Sequence, residues 1–180
     1  DECEFSYRDS VFKNSLKGQF IITSVQFNLN KPPHPFNITY KSLSEKLEGK
    51  VTNIKSIAKA VIEIRSTKLP DPKQIGNSGS FFKNPVIPLI QFNDLQQQYP
   101  EIPHYPDKLG KIKISAAWLI DKLGFKGYRQ HEAGVHPNHA LVLVNYGNAS
   151  GSEIKKLAQK IIDEVFEKFE INLEFEVNIL

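Results

Sequence analysis

The chain predicts an α+β fold, and three features of it carry that expectation. Residues 150–169 open on Ser150-Gly151-Ser152-Glu153, a capping box, and repeat Ile154, Leu157, Ile161, Val165 and Phe169 at helical spacing. The closing INLEFEVNIL alternates strictly, with Ile171, Leu173, Phe175, Val177 and Ile179 on one face and Asn172, Glu174, Glu176 and Asn178 on the other. Elsewhere β-branched runs and helix-spaced runs interleave, a pattern that suits α+β or α/β architecture.

Taken in order, residues 1–16 are polar and lack clear periodicity. QFIITSVQFNL, residues 19–29, is rich in β-branched and aromatic residues and reads as a strand. NKPPHPFN carries Pro32, Pro33 and Pro35 and reads as an extended loop. From Asn53 the period becomes helical, with Ile54, Ile57, Ala58, Val61 and Ile62 on one face and Thr52 as candidate N-cap. Leu69-Pro70-Asp71-Pro72 ends that helix and marks the best domain boundary. A small-residue loop follows over Gly76-Asn77-Ser78-Gly79-Ser80. The proline-punctuated residues 99–106 then separate a short helix from a strand over Lys111–Ile114. Ser115 caps a helix burying Ala116, Leu119, Ile120 and Leu123, with Gly124 as its stop. A loop with His131, His136 and His139 leads into the strand HALVLVNY. No internal repeat or low-complexity segment interrupts this order.

Composition narrows the classes. Lys+Arg number 23 and Asp+Glu 20, a net charge of +3 with both signs interspersed, which is no nucleic-acid footprint. Hydrophobic residues at 40% and aromatics at 11% exclude global disorder. The 180 residues suit one domain, or one domain and part of another. Cys3 is the single cysteine, so no internal disulfide forms and a reducing compartment is expected. No apolar run approaches the ~18 residues of a membrane span, and no signal-peptide pattern opens the chain. Methionine is absent altogether, which leads to the expectation that the chain was processed or cut from something longer.

Few residues suggest chemistry on their own. Ser80, at the exit of the glycine-rich loop, is either a turn serine or a nucleophile, proton donor or hydrogen-bond partner. The loop satisfies no phosphate-binding fingerprint, and Ser80 lies in no nucleophile elbow. The three histidines lack a cysteine or carboxylate pair to complete a metal set and read as exposed loop residues. Glu176 is either a solvated strand carboxylate or an acid held on a rigid strand. Arg8 and Lys68 read as surface cations able to bind a carboxylate or phosphate.

YRDSVFK, RSTKLPDPKQIGNSGSFFKNP, SAAWLIDKLGFKG, HALVLVN and LEFEV, in that order, resemble the UDP-N-acetylenolpyruvoylglucosamine reductase family, and the loop through Phe36-Asn37-Ile38-Thr39-Tyr40 is similar to its substrate-closing tyrosine loop. The resemblance implies a bacterial, cytoplasmic, monomeric oxidoreductase of peptidoglycan precursor synthesis. It would be a flavoprotein in which NADPH reduces FAD and the UDP-N-acetylglucosamine enolpyruvate is reduced to UDP-N-acetylmuramate. It implies catalytic roles for Arg8, Ser80 and Glu176, with Arg8 and Glu176 stabilising charge and Ser80 donating a proton. These three are therefore required to converge in space. It implies substrate contacts at Tyr40, Lys68, Asn84, Tyr105, Lys126 and His139, with no metal, no nucleic acid and no membrane span.

The chain departs from the family pattern at Phe175, where a proline is usual, and at Asn178, where a related member has arginine. His139 stands where some members place a glutamine. The resemblance further implies that residues 1–69 finish a flavin-binding domain of the vanillyl-alcohol-oxidase-like type. Residues 70–170 would form the C-terminal substrate-binding domain, and 171–180 would return towards the flavin side. The family's glycine-rich flavin loops have no counterpart here, so the expectation is a fragment that holds FAD poorly and is inactive alone. The alternative is a stand-alone UDP-sugar-binding module without redox activity.

Overall fold

The structure, a computed structural model, describes residues 2–33, 35–107 and 110–179, and it divides into two compact units, Asp1–Val61 and Ile62–Leu180.

In the first unit a 3-10 turn, Val11–Lys13, precedes helix α1, Lys41–Leu47, which buries Leu43 and Leu47. Helix α2, Ile54–Lys68, begins here and runs across the division into the second unit. Its N-cap is Asn53 rather than the expected Thr52. Asn53 Oδ1 accepts from Ser56 N–H, and Ser56 Oγ accepts from Asn53 N–H, both at 2.9 Å, a reciprocal pairing that Thr52 lacks. Residues 20–31 form no strand, contrary to expectation. Their apolar side chains are uncovered, with Ile21 90% and Phe27 75% exposed, because no described segment pairs with them in a ladder. The apolar stripe of α2 is likewise open at Ile54 and Ile62, and only Ala60 is buried. Of the proline loop, His34 lies outside the described residues, and the rest is irregular as expected.

The second unit is built on two antiparallel sheets. The first has the order β1-β7-β6-β5, from Gly76–Ser80, Val142–Asn145, Ala133–Val135 and Arg129–Gln130. The second has the order β2-β4-β3, from Val86–Pro88, Lys111–Ile114 and His104–Pro106. Helix α3, Leu89–Gln98, packs on the second sheet, whereas α5, Gly151–Phe169, packs on the first and against α4, Ala116–Lys122. Segregated helices on antiparallel sheets make this α+β.

The strongest local signals hold. Ser150 Oγ accepts from Glu153 N–H while Glu153 Oε2 accepts from Ser150 N–H, so the capping box is complete. Leu157, Ile161, Val165 and Phe169 are buried, whereas Ile154 is only partly covered. Ser115 caps α4 through Trp118 N–H, and Gly124 ends the turn at φ +77°. Leu123 packs on the core but is only partly buried.

Three expectations need correction. Gly76–Ser80 is a strand rather than a loop, since small residues lie flat against β7. Asn77 pairs with Val144 and Ser80 with Val142, so one extra residue bulges out, and Gly79 at φ +75° supplies the backbone for it. The segment before HALVLVN contains β5 and β6, too short for any periodicity to announce. The closing alternation yields a single bridge, Phe82 to Phe175, because no further strand flanks it among the described residues.

Candidate functional site

Ser80 and Glu176 lie on adjoining segments. Past the bulge, Phe81 N–H donates to Leu141 O at 2.8 Å, which keeps the chain on β7. Its other edge takes the C-terminal segment: Glu176 N–H donates to Phe81 O and Lys83 N–H to Glu174 O, each at 2.9 Å. The rings of Phe81, Phe82 and Phe175 close this seam, with centroids 5.5 to 5.9 Å apart. Phe175 thus holds the C-terminal segment through ring packing. Ser80 and Glu176 are both half-buried, and one residue separates the hydrogen bond from Ser80. Lys83 pairs with Glu174 at 2.9 Å on the outer side.

A second grouping forms one strand away. Lys68 ends α2, and its charge acts on His139, which in turn neighbours His136. Both histidines are half-buried rather than the exposed loop residues expected, because the 136–142 turn folds back on itself. His136 N–H donates to Val142 O at 2.8 Å and Val142 N–H to His139 O at 3.0 Å. Partial burial, then the neighbouring His136 and Lys68, hold His139 below the usual imidazole range; burial alone does so for His136. A cavity of about 830 Å³ opens here, with Arg65, Asp71, Asn77, Ser78, Gly79 and His136 in its wall. Asn77 braces that wall, its amide donating to Pro70 O and Ile75 O while its Oδ1 accepts from Gly79 N–H.

The other expected contacts sit around β4 and α4. Asn84 Oδ1 accepts from Ala116 N–H at 3.0 Å, so it caps the first turn of α4. Tyr105 is 56% exposed on β3, opposite Lys113. Lys126 pairs with Asp121 of α4. Arg8 and Tyr40 belong to the first unit. Arg8 takes a left-handed φ of +57°, with its carbonyl accepting from Lys13 Nζ at 3.0 Å. Tyr40 stands at the N-cap of α1, exposed. Arg65 and His136 in the cavity wall escaped the sequence reading as ligand contacts. Arg65 sits inside the quoted RSTKLPDP without drawing notice, and only the His136-to-His139 spacing hinted at a joint role. Among the described residues no group of three or more metal-ligating side chains assembles, and no helix is long and apolar enough to cross a membrane.

The order of elements and the seam around Ser80 define a mixed helix–strand domain of one recognisable class. Residues 71–180 match the family described as "UDP-N-acetylenolpyruvoylglucosamine reductase, C-terminal domain". Proteins named UDP-N-acetylenolpyruvoylglucosamine reductase are 48% identical in Flavobacterium johnsoniae (99% of this chain, 54% of that protein) and 49% identical in Amoebophilus asiaticus (100% and 54%). The chain belongs to the UDP-N-acetylenolpyruvoylglucosamine reductase family. It spans about half the length of the curated relatives it matches. A solved UDP-N-acetylenolpyruvylglucosamine reductase from Thermus caldophilus overlays 69% of this chain and 33% of its own at TM-score 0.40 and 23% identity, too loosely to bear on any residue.

Proposed function

We propose that this chain supplies the substrate-reducing part of an oxidoreductase of peptidoglycan precursor synthesis, acting in the bacterial cytoplasm on the UDP-N-acetylglucosamine enolpyruvate. Residues 1–69 would complete a flavin-binding domain, 70–170 would hold the substrate, and 171–180 would bring Glu176 to it. The observation that carries the reading is the hydrogen bond from Glu176 N–H to Phe81 O, which holds a carboxylate-bearing segment beside the strand that ends in Ser80. Among the described residues no glycine-rich turn cradles a dinucleotide pyrophosphate. When bound, FAD would deliver to the substrate's β-carbon a hydride taken from NADPH.

The residues of this chain would do the rest. As charge builds on the substrate's α-carbon and carboxylate, the Arg8 guanidinium and the Glu176 side chain would stabilise it. Ser80 Oγ would then give its proton to the α-carbon. A serine is a weak acid in water, so its position just past the bulge must supply the competence. Lys68, His139, Asn84, Lys126, Tyr40 and Tyr105 would bind the nucleotide diphosphate and sugar.

The test is Ser80→Ala in the intact protein. Reoxidation of reduced flavin by the enolpyruvyl substrate is expected to slow by about 10²–10⁴-fold, with reduction by NADPH unchanged. Equal losses in both half-reactions would refute the proton-donor role.

A further inference from the structure

The cavity beside β1 has a polar wall that the roles above leave unused. Its charged members are Arg65 from α2 and Asp71 from the proline loop, and His136, the neighbour of His139, stands in the same wall. Asp71 is partly committed elsewhere, since its Oδ1 accepts from Lys73 N–H at 2.9 Å.

The two histidines are held alike. Asn138 N–H donates to His136 Nδ1 and Leu141 N–H to His139 Nδ1, each at 3.3 Å. A ring nitrogen that accepts carries no proton, so in both neutral rings Nε2 is the N–H donor. Each ring therefore offers a donor without carrying charge, and gains a positive charge on acidification at the cost of its backbone hydrogen bond.

We propose that His136 is a further substrate-contacting residue, which donates Nε2–H to an oxyanion in this cavity together with Arg65. The ligand class is a phosphate or diphosphate group, and this class rests on the proposed UDP-sugar substrate. The arrangement is directional. Near neutrality the neutral imidazole adds a hydrogen bond beside the fixed charge of Arg65, whereas its protonation on acidification adds charge, opposed by Asp71 in the same wall.

Sulfate is the probe, because it stays a dianion over the whole range used and any pH dependence then belongs to the protein. Calorimetry on the intact protein at about pH 7.5 and about pH 5 is expected to show affinity rising on acidification by up to roughly tenfold, the scale of one added charge at a half-exposed site. His136→Asn keeps an acceptor for Asn138 N–H but removes Nε2, and is expected to weaken binding at both pH values. His136→Gln restores an amide donor without a titratable charge, and is expected to recover the neutral-pH affinity and flatten the pH response. Imidazole resonances of the unaltered protein give a readout that needs no variant: sulfate is expected to raise the pKa of His136. With the UDP-sugar, His136→Asn is expected to raise KM and leave kcat unchanged. Wild-type sulfate affinity in His136→Asn, or a His136 titration that sulfate does not move, overturns the proposal. Absence of turnover with the UDP-sugar in the unaltered protein would instead overturn the proposed function, and the sulfate titrations would still decide the role of His136.

Discussion

Phe82 is the residue on which the Ser80–Glu176 seam turns, and replacing it with leucine measures that seam. Phe82 is 1% exposed and meets Phe81 edge-on at 5.5 Å and Phe175 at 5.9 Å. Leucine keeps most of the buried apolar area but loses both ring contacts. At about 0.5–1.5 kcal/mol for each aromatic pair beyond its burial, the two together predict a loss of about 1–3 kcal/mol. Urea unfolding is the assay, with an unchanged m-value showing that stability alone moved. Phe175→Leu and the double variant complete a cycle that isolates the Phe82–Phe175 contact, for which the expected coupling is about 0.5–1.5 kcal/mol. A coupling near zero would refute the argument that the Phe82–Phe175 packing holds the C-terminal segment beside Ser80. It would leave the Phe81–Phe175 contact, the Lys83–Glu174 pair and the main-chain bonds of Phe81 and Lys83 to hold the segment.

Two further predictions test the frame of the site. Gly134→Ala places a Cβ 2.7 Å from Tyr146 Cε2 and 2.9 Å from Tyr128 O, and Arg129 lies over the Tyr146 ring at 4.2 Å, which restricts its retreat. The expected cost is about 1–3 kcal/mol in urea unfolding, and wild-type stability would mean that the β5–β6 turn yields freely. Ser150→Ala removes the acceptor for Glu153 N–H and is expected to cost about 1 kcal/mol, whereas Ser150→Asp should restore most of it.

How much could be read in advance depended on where each signal resides. The long helix α5, the cap and stop of α4, and β4 at Lys111–Ile114 all announce themselves, because their period, caps and breakers lie within the segment itself. Strand β1 did not, since Gly76-Asn77-Ser78-Gly79-Ser80 has turn chemistry and becomes a strand only through pairing with β7. Strands of two or three residues, such as β5 and β3, are too short to show alternation at all. Residues 19–29 erred the other way, with strand composition and no strand to meet. At the site, family resemblance pointed to Ser80 and Glu176, but nothing local linked them across 95 positions. Arg65 and His136 were hidden for the same reason, since a cavity wall is a property of several segments together.

The uncovered residues 20–31 have one more consequence. From Phe20 to Asn30 the chain holds no charge and no proline, and after the apolar Phe20-Ile21-Ile22 the exposed Val25, Phe27 and Leu29 alternate with Ser24, Gln26, Asn28 and Asn30. That is the composition of a segment that stacks with copies of itself into cross-β assemblies. Lys17 and Lys31 stand just outside it at either end, and Pro32 and Pro33 follow directly. Like charge at both ends repels in-register stacking, and the prolines stop its extension. The ribbon thus comes with its own gatekeepers, and neutralising Lys17 and Lys31 together would lower the concentration at which this chain stays in solution.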